Sequence, residues 1–346
     1  MKFILTSFLF FSSLLGAETH LAILGSGTPN PDPQRMGSAY AVIVNDNAYL
    51  VDFGPGVIRR AAELSSNWGG DIDALIPAKL KYAFLTHIHS DHTMGLSDFL
   101  ITPWIMGRNE RVELFGPKDL ENMATNILKA YKTDIDYRIY GTQPANKLGY
   151  KFNFHELKNG VIFQNEDVKV ESFRVDHGGL HESYGFRFTS ADKVIVFSGD
   201  TGPSDILESY AKDADILVHE VYSYAGFLNK TPDWQKYHKG HHTSTIELGE
   251  IAKRIKPNKL VLSHILFHEV YSYAGFLNKT PDWQKYHKGH HTSTLELGEI
   301  AKRIKPNKLV LSHILFWGST PDEIYKEISS VYDGEVVVAE DLMVIN

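Results

Sequence analysis

Residues 86–92 read Thr-His-Ile-His-Ser-Asp-His, and they directly follow the apolar stretch LKYAFL at 80–85. The apolar stretch is typical of a buried β-strand, and the polar residues begin where this strand would run into a loop. Removing three imidazoles and a carboxylate from water at one point costs free energy, which a divalent cation compensates. Alternate histidines can face one ion, and the Asp-His pair that follows can turn toward a second. The segment therefore predicts a metal site at the end of a strand.

Other apolar stretches along the chain end in the same way, with a histidine or an aspartate in the loop that follows. They are the predicted hairpin VIFQNEDVKVESFRVDHG (161–178), the strand KVIVFSGDTG (193–202) and the strand DILVHEV (215–221). Side chains from distant segments converge at strand ends, which is where binding sites form. His177 and Asp200 are therefore candidate ligands, and His219-Glu220 is a candidate pair for orienting a ligand.

The composition restricts the kind of metal site. The chain has 346 residues, 43% of them hydrophobic and 22% charged, which is ordinary for a globular protein. It has no cysteine, so disulfides, iron–sulfur clusters and thiolate zinc sites are excluded. Any metal must be held by His, Asp or Glu, and the chain has 17 histidines. The formal net charge of −7 argues weakly against nucleic-acid binding, because such a surface repels a polyanion.

Strand and helix signals alternate along the rest of the chain. Residues 58–65, 118–131 and 320–332 have helical patterns, and GEVVVAEDLMVI (334–345) is predicted to form a closing hairpin. Strands interleaved with helices predict an α/β sandwich, with the sheets inside and the helices outside.

The N-terminus has the pattern of a secretory signal peptide over residues 1–17. A basic start at Met1-Lys2 precedes an almost wholly apolar run, Phe3 to Leu15, and small residues follow at Gly16-Ala17. The run is too short to serve as a permanent membrane anchor. We therefore expect an exported protein, periplasmic or secreted, whose mature domain spans 18–346.

A near-identical tandem duplication occupies residues 219–267 and 268–316. The copies differ only where Ile246 in the first corresponds to Leu295 in the second. Solenoid repeats diverge and number three or more, so this pattern indicates a recent duplication or an error of sequence assembly instead. We interpret the mature chain as one domain with one copy too many.

The ordered motifs resemble those of the metallo-β-lactamase superfamily. His-x-His-x-Asp-His at 87–92 is its signature, and the later elements follow in order. They are Asp176-His177-Gly178, Ser198-Gly199-Asp200-Thr201, and Leu-Ser-His at 262–264 and again at 311–313. Within the superfamily, GSGTPNPDP (25–33), VDFGPG (51–56), ITPW (101–104) and the HEV and HHTS elements resemble the ribonuclease Z branch, and most closely its exported arylsulfatase-like members. The resemblance implies an αββα sandwich.

The resemblance also implies two divalent metal ions. One ion would be held by His87, His89 and His177. The second would be held by Asp91, His92 and one of His264 or His313, with Asp200 bridging the two. Nitrogen and oxygen ligands favour zinc, with manganese and iron as alternatives. Such a pair lowers the pKa of bound water, so a shared hydroxide can attack the substrate, and Asp91 can orient that hydroxide.

A further histidine, His242 or its second-copy equivalent His291, matches the residue that this branch uses to protonate the leaving oxygen. The alternative role for this polar turn is capping the helix that follows. Chain connectivity favours His313 and His291 over His264 and His242. The HEV element would then come from the first copy and the last-histidine strand from the second. We expect only one position in the sheet for that strand, with the displaced copy left outside it.

Three functions fit these observations. The first is hydrolysis of small ester substrates, with aryl sulfates, phosphodiesters and lactones all open. The second is a ribonuclease Z-like tRNA 3′ endonuclease. Export, the acidic charge and the lack of a long Gly- and Lys-rich insertion argue against it. The third is a metal-binding protein inactivated by its duplication. Candidate walls of a small-molecule pocket are Trp104, Tyr222, Phe227 and Trp234, with core packing as the alternative. The sequence leaves the oligomeric state open, a homodimer included.

Overall fold

The structure is a computed structural model of the chain. It describes residues 18–29, 31, 35–143, 145–222, 224–228, 230–266, 270–288, 293–311, 314–315, 319–338 and 341–345. The predicted signal peptide, residues 1–17, lies outside the described residues.

The N-terminal sheet has the strand order β17-β1-β2-β3-β4-β5-β6 among the described residues. Its strands are β1 (Thr19–Gly25), β2 (Ala39–Val44), β3 (Asn47–Val51), β4 (Tyr82–Phe84), β5 (Val112–Gly116), β6 (Phe152–Glu156) and β17 (Val344–Ile345). The β1–β2–β3 part is antiparallel, and β3 to β6 are parallel to one another.

The C-terminal sheet has the order β16-β14-β12-β11-β10-β9-β8-β7 in the described part of the chain. Its strands are β7 (Gly160–Gln164), β8 (Lys169–His177), β9 (Leu180–Thr189), β10 (Val194–Phe197), β11 (Ile216–Tyr222), β12 (Lys259–Leu266), β14 (Lys308–Leu311) and β16 (Glu335–Val338). Two short strands, β13 (Val270–Tyr271) and β15 (Ile314–Leu315), pair with each other outside both large sheets.

Helices alternate with the strands in the described part of the chain. They are α1 (Val57–Leu64), α2 (Ser90–Thr93), α3 (Leu96–Ile105), α4 (Asp119–Ala130), α5 (Lys132–Tyr140), α6 (Asp205–Ala211), α7 (Tyr224–Phe227), α8 (Pro232–His241), α9 (Thr245–Ile255), α10 (Tyr273–Leu277), α11 (Pro281–Lys288), α12 (Thr294–Ile304) and α13 (Pro321–Ser329). Buried residues of α1, α3 and α4 pack on the N-terminal sheet, and those of α6, α9, α12 and α13 pack on the C-terminal sheet.

The central core lies between the two sheets. Phe84 of β4 makes edge contacts with Phe186 and Phe188 of β9, with ring centroids 5.9 and 5.4 Å apart. Val218 of β11 and Val261 of β12 bury their side chains in the same layer. Two sheets face to face with helices outside form the αββα sandwich, so the predicted fold class is confirmed.

The predicted closing hairpin is wrong. Glu335 in β16 pairs with Lys308 of β14 in the C-terminal sheet, whereas Ile345 in β17 pairs with Leu21 of β1 in the N-terminal sheet. The turn between the two strands crosses from one sheet to the other, which a pattern of alternating apolar residues does not distinguish from a hairpin.

The expectation of one sheet position for the duplicated strand is also wrong. β12 of the first copy lies directly beside β11, and β14 of the second copy lies beside β12, with Lys259 opposite Lys308. Each copy carries its own helix and strand, α9–β12 and α12–β14, so the sheet widens by one unit. The chain connection within one copy is short, and it places the first copy beside β11 instead of the second.

The second copy repeats part of the pairing of the first. In the first copy Val221 and Tyr222 pair with Ile265 and Leu266, and in the second Val270 and Tyr271 pair with Ile314 and Leu315. The register is the same, because each residue is 49 positions beyond its equivalent. The second copy therefore forms the same pairing between these residues as the first copy does.

No helix in the described part of the chain is long and apolar enough to cross a membrane.

Candidate metal centre

The ends of three buried strands meet at one point between the sheets. His87 and His89 follow β4, His177 is the last residue of β8, and Asp200 follows β10. One potential ligand atom from each of these four side chains lies within 4.8 Å of those of the other three. His87, His177 and Asp200 are buried. The sequence places these residues far apart, and the fold brings them into one cluster.

Short distances show which nitrogen of each histidine faces the centre of the cluster. His87 Nε2 lies 3.1 Å from His89 Nδ1, and His177 Nε2 lies 3.3 Å from the same atom. His177 Nδ1 donates to the carbonyl of His241 (2.8 Å), which leaves its Nε2 as an acceptor. Metal-binding histidines are commonly held in this way by a hydrogen bond from the other ring nitrogen.

Asp91 and His92 form the adjoining half of the site. His92 Nε2 lies 3.4 Å from Asp91 Oδ2 and 3.7 Å from Asp200 Oδ1. The other oxygen of Asp200, Oδ2, lies 3.8 Å from His87 Nε2. The two carboxylate oxygens of Asp200 thus face histidines of the two different halves.

Asp52 was not identified as a site residue from the sequence. It follows β3, is buried, and accepts hydrogen bonds from His92 Nδ1 (2.7 Å) and from the backbone N–H of Thr86 (2.8 Å). Its φ of 62° lies in the left-handed region, which is costly for a non-glycine residue and is found where a site requires it. Its position in the VDFGPG segment directly after an apolar strand was the available signal.

Burial and neighbouring charges set the protonation of the cluster. Burial lowers the pKa of His177 to about 4, and burial with the nearby His92 lowers the pKa of His87 well below its usual range. Burial also acts to lower the pKa of His92, but Asp91, Asp52 and Asp200 outweigh it and raise this pKa well above its usual range. His87 and His177 are therefore neutral at pH 7, with lone pairs available to a cation.

His242 of the first copy lies beside the metal cluster. His242 is buried, its ring centroid lies 4.9 Å from that of His177, and its Nδ1 lies 3.3 Å from Glu220 Oε1. The backbone of residue 264 lies in β12, where the pairing with β11 is irregular just after Glu220. His291 and His313 lie outside the described residues, and so does the side chain of His264.

Glu220 is held by the segments on either side of the site. Its Oε1 accepts from the backbone N–H of Thr201 (3.2 Å) and of Thr243 (3.0 Å). The turn that carries His242 also caps a helix, because the Ser244 hydroxyl accepts from the backbone N–H of Glu247 at the start of α9. This turn therefore caps α9 and also holds His242 beside His177.

The predicted pocket residues divide into two groups. Trp104 is buried in the outer core of the N-terminal sheet, where its indole N–H donates to the carbonyl of Asn146, so it does not line the site. Tyr222 and Phe227 are buried against each other. Trp234 is 54% exposed on α8, near the half-exposed Tyr237, which sequence analysis did not identify.

Comparison with known proteins agrees with this geometry. The model of the metallo-β-lactamase superfamily matches residues 32–264. The chain is 32% identical to a ribonuclease Z of Mycobacterium bovis BCG over 253 residues, which cover 70% of this chain and 85% of the relative. It is 33% identical to the ribonuclease Z of a Mycobacterium species (strain KMS) over 248 residues, 70% of this chain and 83% of the relative.

Solved structures share the fold at low sequence identity. The short form of human tRNase Z superposes with a TM-score of 0.58 at 19% identity, covering 94% of this chain and 98% of that one. The metallo-β-lactamase fold protein YhfI of Bacillus subtilis superposes with a TM-score of 0.56 at 16% identity, covering 95% of this chain and all of that one. With the strand-end cluster of histidines and aspartate, these matches show that the chain belongs to the metallo-β-lactamase superfamily, in its ribonuclease Z branch, and is a metal-dependent hydrolase of that fold.

Proposed function

We propose that this chain hydrolyses phosphodiester bonds in RNA, with the 3′ ends of tRNA precursors as its substrate. The observation that carries the proposal is the pair of Glu220 and His242 beside His177, in a chain about one-third identical to ribonucleases Z over most of their length. The pair would supply a proton donor at the edge of the metal cluster, where a leaving oxygen requires one.

The donor set fits two divalent ions. His87, His89 and His177 would hold one ion, and Asp91 and His92 would hold the other with His264 of the first copy. Asp200 would be a ligand available to both ions, because its two oxygens face His87 and His92 separately. Imidazole and carboxylate donors without thiolates favour zinc. When bound, two such ions supply positive charge that neutralises a phosphodiester and lowers the pKa of water.

The residues of the chain would do the rest of the chemistry. Glu220 is fixed by the backbone N–H groups of Thr201 and Thr243, and it orients His242 through Nδ1. With Nδ1 at 3.3 Å from a carboxylate oxygen, His242 can donate a proton from its other nitrogen to the leaving oxygen. Asp91, at the edge of the cluster, can orient the attacking water. His177 stays neutral because its pKa is about 4.

Hydrolysis of small esters is the second candidate function. The apolar N-terminal run predicts export, which would separate the protein from tRNA maturation, and the formal net charge of −7 disfavours a polyanionic substrate. In this case aryl sulfates, small phosphodiesters or lactones would be the substrates. Inactivation by the duplication is the third candidate, in which the site binds metal without turnover.

One assay distinguishes the three candidates. The zinc-loaded natural protein and its His242→Ala variant are compared on four substrates. These are a tRNA precursor with a 3′ trailer, bis(p-nitrophenyl) phosphate, an aryl sulfate and a lactone. Cleavage of the precursor at the trailer junction, lost in the variant, supports the proposal. Turnover of small esters without cleavage of the precursor favours the second candidate, and no turnover of any substrate favours the third. Mass spectrometry of the mature N-terminus tests the predicted loss of residues 1–17.

A further inference from the structure

A stacked pair of aromatic rings lies at the rim of the metal cluster, on helix α8. The rings of Tyr237 and His241 are 4.1 Å apart between centroids and inclined by only 22°. The His241 ring lies 5.7 Å from that of His177, and the Tyr237 ring lies 6.2 Å from that of His242. Tyr237 is 38% exposed. The His241 ring thus covers one face of the Tyr237 ring, and Tyr237 lies next to His242, the proposed proton donor.

The His241 ring is held in place from two sides. Its Nδ1 donates to the carbonyl of Tyr237 (2.6 Å), and its Nε2 accepts from the backbone N–H of Gly179 (3.4 Å). Gly178 approaches the ring so closely that a Cβ there would lie 2.1 Å from His241 Nε2, and its φ of +61° also favours glycine. Glycine at the end of β8 therefore permits the ring to pack beside His177.

The surroundings of Tyr237 connect it to the site. Burial raises the pKa of Tyr237, and the carboxylates of Asp200 and Asp91 raise it further, so its hydroxyl is neutral at pH 7. Trp234, one turn earlier on α8, meets Tyr237 edge-on, with centroids 5.6 Å apart and the rings inclined by 83°. A group bound at the cluster and extending toward solvent past His242 would pass these rings.

We propose that Tyr237, backed by His241 and flanked by Trp234, is a stacking platform for a planar aromatic group joined to the scissile phosphate on the leaving-oxygen side. We assign the aromatic group to the leaving-oxygen side because Tyr237 lies beside His242, the proposed proton donor. The inference rests on the proposed function, because it assigns a substrate feature to the same site. Two sources share this chemistry, a nucleobase of RNA and the aryl group of a small ester. Every base has a π-face, so stacking on the platform would tolerate different sequences.

Binding of two unreactive phosphonates tests the platform without turnover. Titration calorimetry of zinc-loaded protein compares phenylphosphonate, which has an aromatic ring, with methylphosphonate, which does not. We expect phenylphosphonate to bind about tenfold more tightly to the natural protein. Tyr237→Ala should abolish this ratio while leaving methylphosphonate affinity unchanged, and Tyr237→Phe should preserve the ratio. Tyr286→Ala, the same change in the second copy, is the matched control and should also preserve it.

The outcomes separate the platform from the proposed function. An unchanged phenyl-to-methyl ratio in Tyr237→Ala overturns the platform, even if the protein cleaves RNA. A lost ratio supports the platform even if RNA is not cleaved, in which case the proposed function alone fails.

To distinguish a nucleobase from an aryl group as the occupant, kcat/KM is measured on an RNA and on the same RNA with an abasic residue on the leaving-oxygen side. A loss in Tyr237→Ala of about tenfold on the intact RNA alone identifies a nucleobase as the occupant. A similar loss only on bis(p-nitrophenyl) phosphate identifies an aryl group.

Discussion

Asp52 Oδ2 accepts a hydrogen bond from Nδ1 of His92 at 2.7 Å, which directs Nε2 of this histidine toward Asp91 and Asp200. The same carboxylate accepts from the hydroxyl of Thr86 through Oδ1 (3.0 Å), and this hydroxyl lies 3.0 Å from Nδ1 of His87. One buried aspartate from the end of β3 therefore orients histidines in both halves of the cluster.

Replacing Asp52 with Asn should weaken zinc binding by about 10- to 100-fold, the usual cost of losing an outer partner of a metal-binding histidine. The amide keeps the shape of the carboxylate but loses its charge, so His92 is less well oriented and less basic. Competition with a chelator measures the affinity. Asp71→Asn, at an exposed position, is the matched control. Equal zinc affinity in the Asp52 variant and the natural protein would refute the role of Asp52.

The two copies of the repeat should contribute unequally to turnover. His242→Ala should lower kcat by about a hundredfold or more, because it removes the proposed proton donor beside His177. His291→Ala, the identical change in the second copy, should leave kcat unchanged. Steady-state kinetics on the best substrate of the panel compares the two variants. A larger loss in His291→Ala would show that the second copy supplies the donor.

Deleting residues 268–316 should leave metal content and kcat unchanged. In the duplicated chain Glu335 of β16 pairs with Lys308 and forms an ion pair with it at 2.6 Å. After the deletion, the identical Lys259 of β12 could pair with Glu335. Strand β16 would then keep the same contacts at this position of the sheet. Elemental analysis and kinetics of the shortened chain check this. An insoluble or metal-free product would show that the second copy is needed for the fold.

Acid should destabilise the protein partly through His219, a buried residue of β11 whose Nδ1 donates to the carbonyl of Glu220. Burial lowers its pKa from 6.5 to about 4. Between these values the unfolded chain binds a proton that the folded chain does not. The free energy of unfolding therefore falls as the pH drops from 6.5 toward 4, by about 3 kcal/mol from this group.

Urea unfolding of metal-free protein at about pH 7 and about pH 4.5 measures this dependence. The variant His219→Asn keeps a side-chain donor but does not titrate, so it should lose less stability on acidification than the natural protein. An equal loss in both proteins would exclude His219 as a contributor.

The sequence predicted the parts of the fold that depend on local pattern. Apolar strands ending in His or Asp placed His87, His89, His177 and Asp200 at strand ends, and the sandwich brings strand ends together. Asp52 was missed because its role depends on contacts with Thr86 and His92, which are 34 and 40 residues away along the chain.

The arrangement of the duplication was predicted wrongly for a physical reason. Identical side chains cannot select between β12 and β14, and chain connectivity selects a copy only if one of the two must leave the sheet. A parallel strand with its own covering helix can instead be added beside an identical one, because its apolar residues meet an equally apolar neighbour. Tyr237 was missed because nothing in the spacing of α8 shows which of its rings face the cluster.

The most direct test of the account is the number of metal ions bound by the purified protein. Elemental analysis of zinc-reconstituted protein after desalting should find two zinc ions per chain. Asp200→Ala, which removes the carboxylate that faces both His87 and His92, should bind fewer ions and lose turnover. A single zinc ion in the natural protein would contradict the dinuclear site, and protein without stoichiometric metal would contradict the account as a whole.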